Sequence, residues 1–213
     1  MSRLHRWAPL SGVLAVILWI AGIFLITQSD PDDHATDDQI LAWYKAHTNT
    51  VLLGGWAFML GCLAFIWFAA VLRARLLGAE GGSGTTTTVA FVGAIAAAMF
   101  GMLVPAPDIA AAINKNEISA ATAGTLHRST DAFFVCAELA VMLLFLGAAV
   151  LAFRTGVLPK WLAIAMVILA VVLVIGPIGW AGLIFGLPVW TVVVSLMLAF
   201  GQRPRAQALQ AAT

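Results

Sequence analysis

Apolar residues fall along the chain in six long runs, near 8–27, 51–72, 88–104, 132–153, 161–176 and 181–200, with polar residues gathered in the gaps between them. Each run approaches the ~20 residues that carry a helix across a ~30 Å hydrocarbon core. The pattern predicts an all-α fold: a polytopic membrane helical bundle with six transmembrane helices, built as a single domain over 1–213. Arg3 and Arg6 precede the first run as they would in a secretory signal. The run is too long for one, and 27–29 (Thr-Gln-Ser) offers no small-x-small cleavage site, so it reads as an uncleaved first helix.

The gaps carry structure of their own. Thr36 and Gln39 have the spacing of a capping box. Ile40, Trp43, Tyr44 and His47 follow at helical intervals, predicting an amphipathic helix on the outer surface, with its aromatic pair at the headgroup level, that leads into the second span. Pro105 and Pro107 end the third span, and a short helix is expected over 109–114. The Gly/Thr-rich segment 78–87 reads as a flexible linker and lacks the glycine and lysine pattern of a phosphate-binding loop. Gly93, Ala97 and Gly101 recur every four residues on the third span, and Gly182 and Gly186 do so on the sixth, so both helices are expected to be buried by close backbone approach. Pro188 is expected to kink the sixth span.

Composition agrees with the runs: 62% of residues are hydrophobic and 10% charged, with a mean hydropathy of +0.99, which leaves no segment from which to build a soluble domain. Charge then supplies an orientation. Threaded through six spans, Arg3, Arg6, Arg73, Arg75, Arg154, Lys160, Arg203 and Arg205 share one side, and Lys45, Lys115 and Arg128 lie on the other. Lysine and arginine accumulate on the cytoplasmic side, so both termini are expected to be cytoplasmic. The acids run the opposite way, with Asp30, Asp32, Asp33, Asp37 and Asp38 in the first outer loop and Asp108 and Glu117 in the second. No basic stripe with interleaved aromatics is present, which sets nucleic acid aside and leaves membrane lipid as the expected partner. Cys62 and Cys136 fall inside apolar runs and read as small buried hydrophobes.

Glu138 stands about two turns below the outer end of the fourth span, ~10 Å at 1.5 Å per residue. A carboxylate there is costly unless it is paired, protonated or wetted. At 100° per residue, His127, Asp131 and Glu138 fall within ~40° of one helix face, a polar stripe if the helix continues back to His127. A competing reading makes Ser129, Thr130 or Asp131 the N-cap, His127 and Arg128 loop residues, and Glu138 an inert acid hydrogen-bonded to a neighbouring helix. His47 opens the second span on the same side, and His34 lies in the acidic run. Imidazoles and carboxylates together suit zinc or iron, but no diagnostic ligand spacing is present. Ser11, Thr191 and Ser195 have no base at their depth, and no span holds a lysine for a Schiff base. So few intramembrane charges argue against proton-coupled transport.

The segment 154–162 (RTGVLPKWL), with Trp43, Tyr44 and His47 ahead of the second span and Arg73 and Arg75 ending it, resembles a family of small actinobacterial six-span membrane proteins, a domain of unknown function. The resemblance implies six spans and a bacterial inner membrane, and it brings no activity. From the residues themselves, the leading expectation is an outward-facing pocket around Glu138 that binds a lipid or other hydrophobic small molecule, helped by Asp131, His127 and His47. Three alternatives stay open: an intramembrane enzyme with Glu138 as general acid on an isoprenoid-like substrate, a metal or haem protein with outer-side histidine ligands, and a ligand-free accessory subunit of a membrane complex. No cofactor is named by any motif.

Overall fold

A computed structural model describes residues 7–28, 30–32 and 34–201. A 3-10 turn, Ala8–Leu10, leads into α1 (Ser11–Thr27), followed by α2 (Asp37–Glu80), α3 (Thr85–Leu103), α4 (Ala106–Ile113) and α5 (Ala120–Thr155). Then come α6 (Lys160–Val172), α7 (Gly176–Ala181), a π-helical turn (Gly182–Gly186) and α8 (Leu187–Phe200). Arg3, Arg6, Asp33, Arg203 and Arg205, which carry part of the expected charge segregation, lie outside the described residues.

The bundle is all-helical, and five stretches are long and apolar enough to cross a membrane: Ala8–Thr27, Asp37–Glu80, Thr85–Ile113, Ala120–Thr155 and Ile178–Phe200. The expected fifth span is shorter. Its helix, α6, has 13 residues, or ~20 Å at 1.5 Å per residue, before the chain turns at 173–175 into α7. Large apolar side chains remain exposed around the bundle, among them Ile17, Phe24, Trp56, Trp67, Trp161 and Val189, each more than half accessible. A soluble monomer does not carry so much contiguous apolar surface, whereas a lipid-facing one must.

The capping box forms as expected: Thr36 N donates to Gln39 Oε1 at 2.8 Å, and Gln39 N donates to Thr36 Oγ1 at 3.4 Å. The 44-residue α2 is ~66 Å long, about twice what the hydrocarbon core needs, and it bends at His47 (φ −117°, ψ 22°) into an outer segment and a spanning one. At the bend Thr48 Oγ1 donates to Tyr44 O at 2.7 Å, and His47 Nδ1 lies 3.2 Å from Trp43 O, so side chains engage the carbonyls next to the distorted turn. The segment ahead of the bend packs against the rest of the bundle. Tyr44 is fully buried and Trp43 is 7% exposed, because α4 and the start of α5 close over them in a second small core with Ile40, Val51, Ala111, Ala112 and Ala123.

Two further expectations are corrected. Helix α5 starts at Ala120, where Ser119 Oγ accepts Thr122 N at 3.1 Å, and it runs unbroken through His127. Ser129 and Thr130 turn their hydroxyls back to Leu126 O and His127 O, so neither is an N-cap. The segment read as a flexible linker is a compact turn over 81–84, in which Gly81, Gly82 and Gly84 adopt φ of +65°, +57° and +66°. The Glu80 carboxylate accepts Thr86 N at 2.9 Å and Thr87 N at 2.8 Å, capping the start of α3.

Small residues bring α3 and α5 together: a methyl built on Gly93 would sit 2.5 Å from Leu144 N, and one on Gly147 would sit 2.9 Å from Ala90 N. The sixth run behaves differently. Its membrane-length stretch is 28% buried, against 56% for α5, because Gly182 and Gly186 face the short peripheral α6 at Val172, Leu173 and Leu169. Pro188 lies in the first turn of α8, directly after the wider π turn.

Gly93→Val forces a branched side chain into a backbone contact and is expected to cost about 1–3 kcal/mol of stability, read as a lower unfolding temperature in detergent. Hydrogen bonds from Thr87 and Thr86 hold the Glu80 carboxyl down to about 2, from an ordinary 4.5. A depressed value means the cap contributes fully above 4.5 and is lost as pH falls toward 2. The Tm gap between wild type and Glu80→Gln is therefore expected to narrow across that window. A gap independent of pH would show the carboxylate is not the cap.

Candidate functional site

A cavity of about 770 Å³ opens at the end of the bundle where the outer segment of α2, α4 and the start of α5 meet. Its size lies within the roughly 300–1,000 Å³ of small-molecule sites. Along α5 it extends from His127 to Val141, ~20 Å of helix. The throat is apolar and walled by Trp19, Phe58, Phe65, Ala97, Phe134 and Leu187, from α1, α2, α3, α5 and α8. The mouth is polar and carries Asp30, Asp32, Asp108, His127, Arg128 and Asp131.

The mouth is organised around Asp108, in the first turn of α4, where the helix dipole favours an acid. Asp108 is 7% exposed. Its Oδ1 accepts the Tyr44 phenol at 2.5 Å and lies 3.1 Å from His127 Nδ1, while the phenol oxygen is 3.4 Å from the same nitrogen. A phenol that donates to the carboxylate leaves His127 Nδ1 to donate as well, so the imidazole carries its proton on Nδ1. The edge of the imidazole packs on Trp43, with ring centroids 5.8 Å apart. His127 lies outside the apolar stretch 132–153 of its helix. The hydrogen bond to Asp108 holds its pKa above the usual histidine value, opposed by burial and assisted by the charges of Asp108, Asp30 and Asp131. Around this cluster the cations are tied: Arg128 Nη2 pairs with Asp37 Oδ1 at 2.5 Å, and Lys115 Nζ donates to Thr48 Oγ1.

The expected stripe therefore divides. His127 and Asp131 line the cavity, as the continuous helix requires. Glu138, 6% exposed, does not line it. The carboxyl packs instead beside the 173–175 reversal, where a methyl on Gly179 would sit 3.0 Å from Glu138 Oε1. His47 also stands outside the lining and belongs to the bend in α2. Among the described residues no group of three or more His, Cys, Asp or Glu side chains comes together as a metal site. The chain matches no protein-family model, no curated protein and no solved structure.

Sequence reasoning missed Tyr44 and Asp108 as partners. A signal for the first was present: Tyr44 follows Ile40 by four residues and shares its buried face. Asp108 reads as one more loop acid until the short α4 is folded against α2.

Asp108→Asn removes the charge that favours protonated His127. A raised folded value contributes stability that is full below the ordinary histidine pKa and is lost as pH rises through the folded one. The stability advantage of wild type over Asp108→Asn is therefore expected to fall with rising pH, from near 6.5 upward, in thermal melts at several pH values. An advantage that grows with pH would contradict the pairing.

Proposed function

We propose that this chain is a six-span protein of a bacterial inner membrane, with cytoplasmic ends, that binds a lipid-like amphiphile in the cavity. The tail lies in the throat and the polar end at Asp108, His127 and Asp131. The observation that carries this reading is the continuity of one cavity, ~20 Å along α5 in all, from a charged mouth into an apolar throat, the polarity profile of an amphiphile. The orientation is supported by Arg73, Arg75, Arg154 and Lys160, which lie at the helix ends remote from this mouth. The sixth span in this reading is α6, short for the purpose and extended by the 173–175 turn.

A catalytic variant of the reading transfers from Glu138 to His127. An imidazole anchored through Nδ1 by a carboxylate keeps Nε2 for proton exchange with a bound molecule, and His127 lines the cavity where Glu138 does not. Turnover of a bound amphiphile, lost in His127→Gln, distinguishes it from simple binding.

Native mass spectrometry of gently solubilised protein is expected to show a co-purifying amphiphile on wild type. Ala98→Phe, which places a ring in the throat, is expected to lose it at an unfolding temperature within a few degrees of wild type. Wild type free of any adduct, or a folded variant that retains one, would sink the reading.

A further inference from the structure

The geometry points to a cationic head group: we propose that the cavity selects amphiphiles bearing an ammonium over those with a neutral or anionic end. This rests on the binding reading above and names the ligand class for the same site. Among the lining residues, four carboxylates, Asp30, Asp32, Asp108 and Asp131, stand against one guanidinium, Arg128, and one imidazole, His127. Both positive groups are already answered. Arg128 is paired with Asp37, which lies outside the lining, and His127 is held by Asp108. A carboxylate or phosphate end would therefore meet cations already neutralised and acids that repel it.

Asp108 adds a deeper argument. Buried to 7% exposure and lining the cavity, it receives both of its hydrogen bonds on Oδ1. Among the described residues no hydrogen bond reaches Oδ2. A carboxylate oxygen with spare acceptor capacity at the neck of an apolar throat suits an N–H donor or an alkylammonium. Phe134, three residues beyond Asp131 on α5, adds an aromatic face to the lining, which favours a cation over an anion. Asp131 and Asp32 are exposed at the rim and attract a cation toward the neck.

The test is a competition. Delipidated full-length protein in a neutral detergent is offered an equimolar mixture of a straight-chain alkyltrimethylammonium, the primary amine, the alcohol and the carboxylate of the same chain length, and the adducts are weighed by native mass spectrometry. The ammonium and amine adducts are expected to exceed the carboxylate adduct by roughly tenfold at low salt, as a few carboxylates at partly screened distance provide. The excess should shrink as ionic strength rises. Asp108→Asn is expected to remove most of the preference. Asp131→Asn, at an exposed position where misfolding is not at issue, is expected to reduce it, read as the ratio of ammonium to alcohol adduct. Equal adducts from all four compounds, or a preference unchanged in both variants, would overturn the cationic assignment and leave the binding reading standing. No adduct from any of them would overturn both.

Discussion

A carboxylate buried where three helices meet has to be answered by donors, and Asp108 is answered from two of them, by the Tyr44 phenol on α2 and the His127 imidazole on α5. Without both donors the buried charge would be stranded, at a cost of about 1–3 kcal/mol or more. That requirement sets the position of the outer segment of α2. To bring Tyr44 to Asp108 the helix bends at His47, and the bend in turn buries Trp43 and Tyr44 under α4. The cavity mouth is the space these three segments enclose once the hydrogen bonds are made.

Below the mouth, packing follows the rule for lipid, where helices gain little from hiding apolar surface and associate through close contact. Helix α3 shows both outcomes. At Gly93 the missing side chain lets the α5 backbone approach, and the two helices close. Further along, Ala97, Ala98 and Gly101 again present small side chains, but Phe58, Phe65 and Trp19 hold the opposing wall away and the space stays open. One stripe of small residues thus seals one half of the interface and opens the throat in the other.

The helices were legible in the sequence because lipid imposes a length and an apolar composition on each, and the capping box and the end of the third span followed from local chemistry. Contacts between distant segments were not legible. Asp108 and Tyr44 are 64 residues apart, and neither is unusual by itself. Glu138 stood out for its depth, yet depth says nothing of which neighbour a side chain meets. It meets the reversal near Gly179, while His127 and Asp131 on the same face meet the cavity. The Gly/Thr-rich turn misled for a related reason: three glycines suggest freedom, but here they hold positive φ angles so that Glu80 can cap the next helix.

The brevity of α6 has a consequence for the surrounding bilayer. Its ~20 Å of apolar helix falls short of a ~30 Å hydrocarbon core, whereas Ala120–Thr155 on the same bundle exceeds it. On the six-span reading proposed above, the protein therefore has unequal hydrophobic thickness around its circumference. Lipids facing Trp161, Ile164 and Ile168 must shorten or splay to match it, at a fraction of a kcal/mol for each ångström of mismatch. On that reading the bilayer is strained along one side of the molecule and relaxed along the other.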